Sequence, residues 1–176
     1  MSIDLKGYIF DVPDFPKKGI VFKDLTPIIQ SSQAFNFAID ELSAWAATRR
    51  PELIVAIESR GFVFGAALAR DLRLGMTVIR KKGKLPRKCA SVLAPNEYAV
   101  EHFEIHEDAV ARGQRVLIVD DLIATGSSSV SAINLVKLLQ GHVVGFGAVV
   151  ELSFLKGREA IVAAHPDVAV HALVRY

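Results

Sequence analysis

The residues best suited to chemistry lie in one short segment, where an apolar run passes through two carboxylates into a turn. Val116–Val119 leads directly to Asp120 and Asp121. The turn after them is built of small residues, and the candidates for ligand contact are Ala124, Thr125, Gly126, Ser127 and Ser128. Small residues let the backbone approach a ligand, and a helix that begins there offers unpaired N–H groups to an anion. This turn is therefore typical of a phosphate site.

The acid pair decides which kind of phosphate compound would fit this turn. A carboxylate repels a neighbouring phosphate unless it has a target of its own, such as the vicinal hydroxyls of a sugar or a Mg²⁺ ion bridged to the ligand. The segment lacks the Gly-Lys-Ser/Thr of a Walker A loop and the Gly-x-Gly-x-x-Gly of a dinucleotide turn. The alternative is a capped helix that follows two solvated acids. The order of strand, acid pair, small turn and helix favours a site for a phosphorylated sugar instead.

A second candidate region is a cluster of positive charge. The chain carries 21 basic and 19 acidic residues, for a net charge of +2. Six of the basic residues fall close together, and they are Arg80, Lys81, Lys82, Lys84, Arg87 and Lys88. A duplex-binding protein usually spreads its basic residues along one face, whereas a concentrated cluster suits a compact polyanion such as a diphosphate. We therefore expect no nucleic-acid partner. The alternative for this run is a solvated, flexible surface.

The elements that must position these residues alternate between apolar strands and amphipathic helices. The predicted strands are Leu53–Ile57, Met76–Arg80, Arg115–Val119, His142–Leu152 and Val168–Leu173, with a further strand or hairpin arm at Glu97–Ile105. The predicted helices run from Ser31 or Ser32 to about Thr48 and over Gly61–Leu72, Ser127–Gln140 and Lys156–Ala163. This alternation predicts an α/β fold, with a mostly parallel twisted sheet flanked by helices on both faces. The polar stretch from Lys81 to about Glu97 is predicted to be a functional loop or lid over the site.

Composition excludes several classes of protein. The 176 residues are 51% hydrophobic, which predicts one globular domain over residues 1–176 rather than a disordered chain. The longest apolar stretches, Phe62–Ala69 and Val143–Val150, are far shorter than the roughly 20 residues of a membrane span. The single cysteine, Cys89, cannot form an internal disulfide. We therefore expect a cytoplasmic protein that does not enter a membrane.

Several motifs together resemble a known family. The segment from Val119 to Gly126 resembles the phosphoribosyl-diphosphate-binding motif of type I phosphoribosyltransferases. Further segments resemble adenine phosphoribosyltransferases, and they are Pro13–Pro16, Gly19–Pro27, Glu58–Gly65, Arg80–Pro86, Glu97–Tyr98 and Phe103–Ala109. These segments occur in the order that the family has and cover most of the chain, so their combination is far more specific than any one of them.

The resemblance implies a reaction, a set of partners and roles for individual residues. It implies transfer of ribose 5-phosphate from phosphoribosyl diphosphate to adenine, which gives AMP and diphosphate and requires Mg²⁺ held through the diphosphate and ribose. Asp120 and Asp121 would hold the ribose hydroxyls, and Ala124–Ser128 would hold the 5-phosphate. The diphosphate would be faced by Arg60, Arg80, Lys81 and Lys84. The family also implies a homodimer.

The resemblance assigns the purine to two other segments. Glu97 matches the family's catalytic acid, while Val21, Phe22 and Lys23 match its base-binding segment. From the residues alone, Phe22 is more typical of a core aromatic, and Glu97 of a surface acid. Arg60 follows a predicted strand and so lies near the ligand edge whether or not it binds.

The chain departs from the family pattern at a few positions. Ser127 and Ala99 stand where the family usually has glycine, Ala94 takes the place of a tyrosine, and Lys23 stands where arginine is common. A serine at position 127 would be strained if that position required a positive φ. The departures leave the acceptor open, so one alternative is the same reaction on an oxopurine such as hypoxanthine or guanine. A separate alternative on the same fold is a non-enzymatic regulator that senses phosphoribosyl diphosphate.

Overall fold

The computed structural model describes residues 3–95 and 100–176. The strands are β1 (Phe10–Pro13), β2 (Val21–Asp24), β3 (Leu53–Ile57), β4 (Gly75–Lys81), β5 (Cys89–Pro95), β6 (Val100–His106), β7 (Arg115–Ile123), β8 (His142–Glu151) and β9 (Val170–Arg175). The α-helices are α1 (Thr26–Gln30), α2 (Ser32–Ala47), α3 (Gly61–Leu72), α4 (Ser127–Leu138) and α5 (Gly157–Ala164). Short 3₁₀ turns span Leu5–Tyr8 and Ser153–Leu155.

The main sheet of the described residues is mixed and mostly parallel. Its seven strands have the order β5-β6-β4-β3-β7-β8-β9. Strands β4, β3, β7, β8 and β9 run parallel to their neighbours, and the β5–β6 hairpin joins β4 antiparallel at one edge. Strands β1 and β2 form a separate antiparallel pair. This architecture confirms the predicted α/β fold.

Helices cover both faces of the sheet, because successive residues of a strand point to opposite sides. Ile54 of β3 packs into one core cluster, which includes α2 and α3 residues such as Leu42 and Phe64. Val55, the next residue of β3, packs into a second cluster, which includes Ile133 of α4. Strands buried on both faces have continuous apolar sequences, which is why their positions were readable. Within the described ranges, none of the helices has the length and apolar content needed to cross a membrane.

The predicted loop over residues 81–97 is partly wrong. Cys89–Pro95 forms β5 and pairs antiparallel with β6. Ala90 and Val92, two positions apart, pack against the second core cluster, and this shared burial explains why the segment forms a strand. Among the described residues of this segment, the irregular part is therefore the turn between β4 and β5, which carries much of the basic cluster. Glu97, where the prediction placed the start of the next strand, lies outside the described residues.

The contact between α3 and β3 leaves no room for a larger residue at position 65. A Cβ built on Gly65 would lie 2.6 Å from the Cβ of Ala56 and 3.3 Å from the sulfur of Met76. We expect Gly65→Val to lower the free energy of unfolding by about 2–3 kcal/mol, because the helix must move away from the sheet. Urea denaturation measures this. The matched control is Gly7→Val, since a Cβ at Gly7 meets nothing within 4 Å. Equal stability of the two variants would contradict the proposed packing.

Candidate active site

Two adjacent parallel strands bring the acid pair and Arg60 to one edge of the sheet. Strand β7 extends through Ile123, so Asp120 and Asp121 lie inside the strand and not in the turn after Val119. Arg60 follows β3 and occupies the position just before α3, without a side-chain capping hydrogen bond. Because β3 and β7 are hydrogen-bonded neighbours, Arg60 Nε lies 2.5 Å from Asp121 Oδ2. The distant residues that the sequence assigned to sugar and diphosphate therefore meet in an ion pair.

The two acids have different surroundings. Asp120 is buried, and its Oδ1 accepts a hydrogen bond of 2.8 Å from the backbone N–H of Asp121. Burial raises the pKa of Asp120 well above the usual value, and the neighbouring charge of Asp121 raises it further. Asp121 instead has the guanidinium of Arg60 beside it. The pair thus combines an acid whose pKa is raised with one that lies beside a guanidinium.

The small-residue turn after β7 includes a backbone conformation that favours glycine. Gly126 has a φ of +82°, a conformation that side-chain-bearing residues rarely adopt. Ser127 is the first residue of α4 and does not have a positive φ, so the serine at this position causes no backbone strain. The carbonyl of Gly126 accepts the N–H of Val130 at 2.8 Å and begins the helix. Backbone N–H groups at the start of a helix are suited to binding an anion.

Glu58 gathers the basic residues of β4 and of the following turn. Its Oε2 accepts hydrogen bonds from Arg80 Nε at 3.3 Å and from the backbone N–H of Lys81 at 3.0 Å. Its Oε1 accepts a hydrogen bond from the ammonium of Lys84. Burial acts to raise the pKa of Glu58, but the hydrogen bonds from Lys84 and the Lys81 backbone outweigh it, and the pKa is lowered. Glu58 is therefore an ionised anchor for these cations.

Most of these charged residues surround one open cavity of about 370 Å³. The residues that line it are Glu58, Ser59, Arg60, Lys81, Lys84, Asp120 and Asp121. The Arg80 side chain reaches this cluster through Glu58 and also donates to the backbone carbonyl of Lys84 at 3.2 Å. A cavity lined by both acids and cations suits a ligand that carries hydroxyls and phosphates.

The three predicted base-binding residues lie on β2 with different surroundings. Phe22 is half-buried, its ring centroid lies 5.1 Å from the guanidinium carbon of Arg60, and Phe15 meets it edge-on at 5.2 Å. Val21 is 50% exposed. Lys23 pairs with Asp11 at 2.5 Å, so the charge of its ammonium is already compensated by a carboxylate. Phe22 thus lies beside Arg60, which lines the cavity. The predicted catalytic acid, Glu97, and Ala99 lie outside the described residues.

Comparison with known proteins identifies the family. A family model described as a phosphoribosyl transferase domain matches residues 27–167. The chain belongs to the phosphoribosyltransferase family. The match includes the acid pair, the small-residue turn and the whole cation cluster, and thus every residue that lines the cavity.

Individual relatives within this family are similar over nearly the whole chain. The adenine phosphoribosyltransferase of Natranaerobius thermophilus is 49% identical over 159 residues, which cover 90% of this chain and 93% of that protein. The crystal structure of adenine phosphoribosyltransferase from Thermoanaerobacter pseudethanolicus has a TM-score of 0.92 and 43% identity, covering 98% of each chain. The Saccharomyces cerevisiae adenine phosphoribosyltransferase, solved in complex with adenine and an imino-altritol bisphosphate, has a TM-score of 0.88 and 39% identity, covering 96% of each chain.

The acids of this phosphoribosyltransferase site suit a metal ion whose other ligands are water and substrate phosphates rather than protein groups. In the described part of the chain, no three His, Cys, Asp or Glu side chains form a cluster that could hold a metal ion. Asp120 and Asp121 still present carboxylate groups to the cavity. Mg²⁺ commonly binds one or two carboxylates together with waters and substrate phosphates. The site therefore suits Mg²⁺ bound through a phosphorylated substrate.

Sequence reasoning gave no role to two residues of the phosphoribosyltransferase site. Glu58 was recognised only as part of a family segment, although its position directly after an apolar strand was a usable signal. Gly157 was not singled out, yet its backbone touches the turn at Gly126. That contact joins two turns that are far apart in the sequence, and no local sequence pattern predicts it.

Proposed function

We propose that the protein transfers the 5-phosphoribosyl group of phosphoribosyl diphosphate to N9 of adenine, giving AMP and diphosphate. The observation that carries this proposal is the cavity in which the Asp120–Asp121 pair faces Arg60, Lys81 and Lys84. A sugar that bears a diphosphate needs both groups at once. The names of the similar proteins support adenine as the acceptor and purine salvage as the role.

The 5-phosphate and the ribose are bound by the segment that ends β7. The backbone and hydroxyl groups of Ala124, Thr125, Gly126, Ser127 and Ser128 hold the phosphate. Asp120 and Asp121 accept hydrogen bonds from the ribose hydroxyls, which orients the sugar ring. The negative potential of the acids also favours the positive charge that develops at C1′ as the diphosphate leaves.

The diphosphate is bound by the cations in and beside the same cavity. The bond from C1′ to the diphosphate oxygen breaks with its electron pair on oxygen, and Arg60, Arg80, Lys81 and Lys84 stabilise this growing negative charge. Glu58 holds Arg80 and Lys84 in position before substrate arrives. Asp120 and Asp121, together with the diphosphate, would hold Mg²⁺, which would supply further neutralisation of the charge on the leaving group.

The purine is bound on the side of β2. Phe22 stacks on the purine ring, and the backbone groups of Val21 and Lys23 form hydrogen bonds with its edge. The N9 lone pair of adenine forms the new bond to C1′ while a proton leaves the imidazole part of the purine, and the carboxylate of Glu97 accepts this proton. Support for the Glu97 assignment comes from its match to the family segment alone. Exclusion of water by the basic turn between β4 and β5 would keep hydrolysis from competing.

A base-competition assay tests the proposed acceptor. With phosphoribosyl diphosphate and Mg²⁺ present, we expect AMP from adenine and at least about 10⁴-fold less product from hypoxanthine, guanine or xanthine, because a site that hydrogen-bonds one purine edge leaves polar groups unpaired with another. Chromatography of the nucleotide products measures this. Preference for an oxopurine would contradict adenine as substrate, and binding without turnover of any base would favour a regulator.

We also propose that the chain forms one domain and acts as a cytoplasmic homodimer. The single cysteine, Cys89, is in keeping with a reducing compartment, and the family resemblance supports the dimer. Sedimentation equilibrium tests the assembly: a mass near twice 19.2 kDa is expected, and a mass of one chain at micromolar concentration would contradict it.

A further inference from the structure

The connection between β8 and α5 presses directly against the small-residue turn. A Cβ built on Gly157 would lie 2.2 Å from the carbonyl oxygen of Ala124 and 2.9 Å from the backbone nitrogen of Gly126. Reciprocally, a Cβ on Gly126 would lie 2.6 Å from the carbonyl oxygen of Gly157. All three separations are shorter than any normal contact of a Cβ atom. The backbones of two glycines therefore touch where the phosphate turn bends, and neither position has room for a side chain.

The α5 side of this contact is tied to the sheet by Arg158. Its Nε lies 3.0 Å from both carboxylate oxygens of Glu151, at the end of β8, and its Nη1 donates to the carbonyl of Val170 at 2.6 Å. Glu151 is only 3% exposed, and Arg175 lies 3.3 Å from the same carboxylate. Bidentate pairing of this kind restricts orientation more than a single contact does.

The sheet also holds the other side of the contact. Ile123, the last residue of β7, pairs with Glu151 in the register of β7 and β8, and its carbonyl accepts the N–H of Leu152 at 2.9 Å. The phosphate turn and the start of α5 thus leave neighbouring strands and meet again at Gly126 and Gly157. A change in the position of either turn must displace the other, because both ends are held.

We propose that Gly157, held in place by the Arg158–Glu151 pair, is a positioning residue that keeps the Ala124–Gly126 turn in the conformation that binds the 5-phosphate. The proposal rests on the proposed function of that turn. Gly157 acts through the turn rather than on the reacting atoms, so its effect should fall on binding of the phosphorylated sugar. Displacements of about 1 Å at a positioned group can cost about 10²-fold in an enzyme.

The test is Gly157→Ala, with ribose 5-phosphate as the probe. Gly157 has no positive φ, so alanine changes the contact with the turn rather than the local backbone preference. We expect the Kd for ribose 5-phosphate, measured by calorimetry, and the KM for phosphoribosyl diphosphate to rise about 10- to 100-fold. We expect kcat at saturating substrate to change less than KM. Arg158→Lys keeps the charge but loses the fork, and is expected to raise both constants several-fold.

Gly145→Ala is the matched control, because it creates similar crowding away from the turn. A Cβ there would lie 2.8 Å from the ring of Trp45 and 3.2 Å from Leu117. We expect this variant to be less stable yet to bind ribose 5-phosphate within about twofold of the parent chain, as additivity at distant sites implies.

The outcomes separate this inference from the proposed function. A parent chain that does not bind ribose 5-phosphate overturns both. A parent chain that binds it, with Gly157→Ala binding equally well, overturns the inference alone, and so does an equal loss of affinity in Gly145→Ala. If Gly157→Ala does not fold, Arg158→Lys decides: unchanged Kd and KM in that variant overturn the inference.

Discussion

Replacing both Asp120 and Asp121 by asparagine is expected to reduce kcat/KM by about 10³-fold or more, because fixed charges aimed at a developing transition-state charge are commonly worth that much. Asparagine keeps the size of each side chain and an oxygen that accepts a hydrogen bond. The backbone N–H of Asp121 would retain its partner at position 120. The charge is therefore lost with little change in shape, and steady-state rates of AMP formation measure the effect.

The same substitution at Asp120 alone is expected to stabilise the fold at neutral pH. Burial, and then the charge of Asp121, raises the pKa of Asp120 in the folded protein above its unfolded value. When the pKa of an acid is higher in the folded than in the unfolded state, its contribution to stability is fully present below the unfolded pKa. That contribution is lost as pH rises through the folded pKa. Asp120→Asn removes that loss. Its free energy of unfolding should exceed that of the parent at pH 7, and the difference should shrink as pH falls toward about 4.

Asp167→Asn is the control for both measurements. Asp167 pairs with Lys137 at 3.0 Å, and that hydrogen bond lowers the pKa of Asp167. The sign is opposite: the pair contributes stability above the unfolded pKa and loses it as pH falls through the folded pKa. We expect a small loss of stability at pH 7 and unchanged activity. Full activity of the Asp120/Asp121 double variant, or a loss in Asp167→Asn of similar size, would contradict the assigned roles.

The alternation of strands and helices was readable because the central strands are buried on both faces. Leu53–Ile57 is an uninterrupted apolar run, and the predicted bounds match β3 as observed. The predicted helix from Ser31 or Ser32 to about Thr48 also matches, since Ser31 Oγ caps Ala34 N–H at 3.2 Å and the helix spans Ser32–Ala47. Local signals of this kind need no knowledge of the partners.

The errors occur where tertiary pairing overrides local preference. Aspartate is disfavoured in strands, so the strand was predicted to end at Val119. In the structure β3 pairs with β7 only as far as Val119, but Asp120 pairs with Ala148 of β8, and pairing with β8 carries the strand on to Ile123. Cys89–Pro95 was assigned to a loop, but its hydrogen bonds to the partner strand β6 make it a strand. Such pairing between strands is not visible in the local sequence.

The site was predictable in its composition but not in its connections. Acids at the carboxyl end of one strand and an arginine just after a neighbouring parallel strand had to lie at the same edge of the sheet. The Arg60–Asp121 pair confirms this. No rule of sequence shows that Glu58 would collect Arg80 and Lys84, or that Gly157 would touch the phosphate turn. Both contacts depend on how the loops fold back over the sheet, and only packing determines that.

Replacing Lys84 by methionine is expected to raise the KM for phosphoribosyl diphosphate about 10- to 100-fold, since hydrogen bonds to a charged group contribute about 1.5–3 kcal/mol. Lys84 lines the cavity and donates to Glu58, so its ammonium is already directed at the site in the free protein. Methionine keeps the length and apolar stem of the side chain and removes only the charge. Steady-state kinetics at saturating adenine measure the change.

A control from the same basic segment separates the position of this charge from its mere presence. Lys88 pairs with Glu107 at 3.0 Å, and its side chain is 84% exposed. Lys88→Met makes the same change in net charge, so a diffuse electrostatic attraction for the diphosphate would be weakened equally in both variants. We expect the KM of Lys88→Met to stay within about twofold of the parent, as is usual for an exposed ion pair. If both variants lose affinity alike, the basic turn acts as a general field, and Lys84 does not contact the diphosphate.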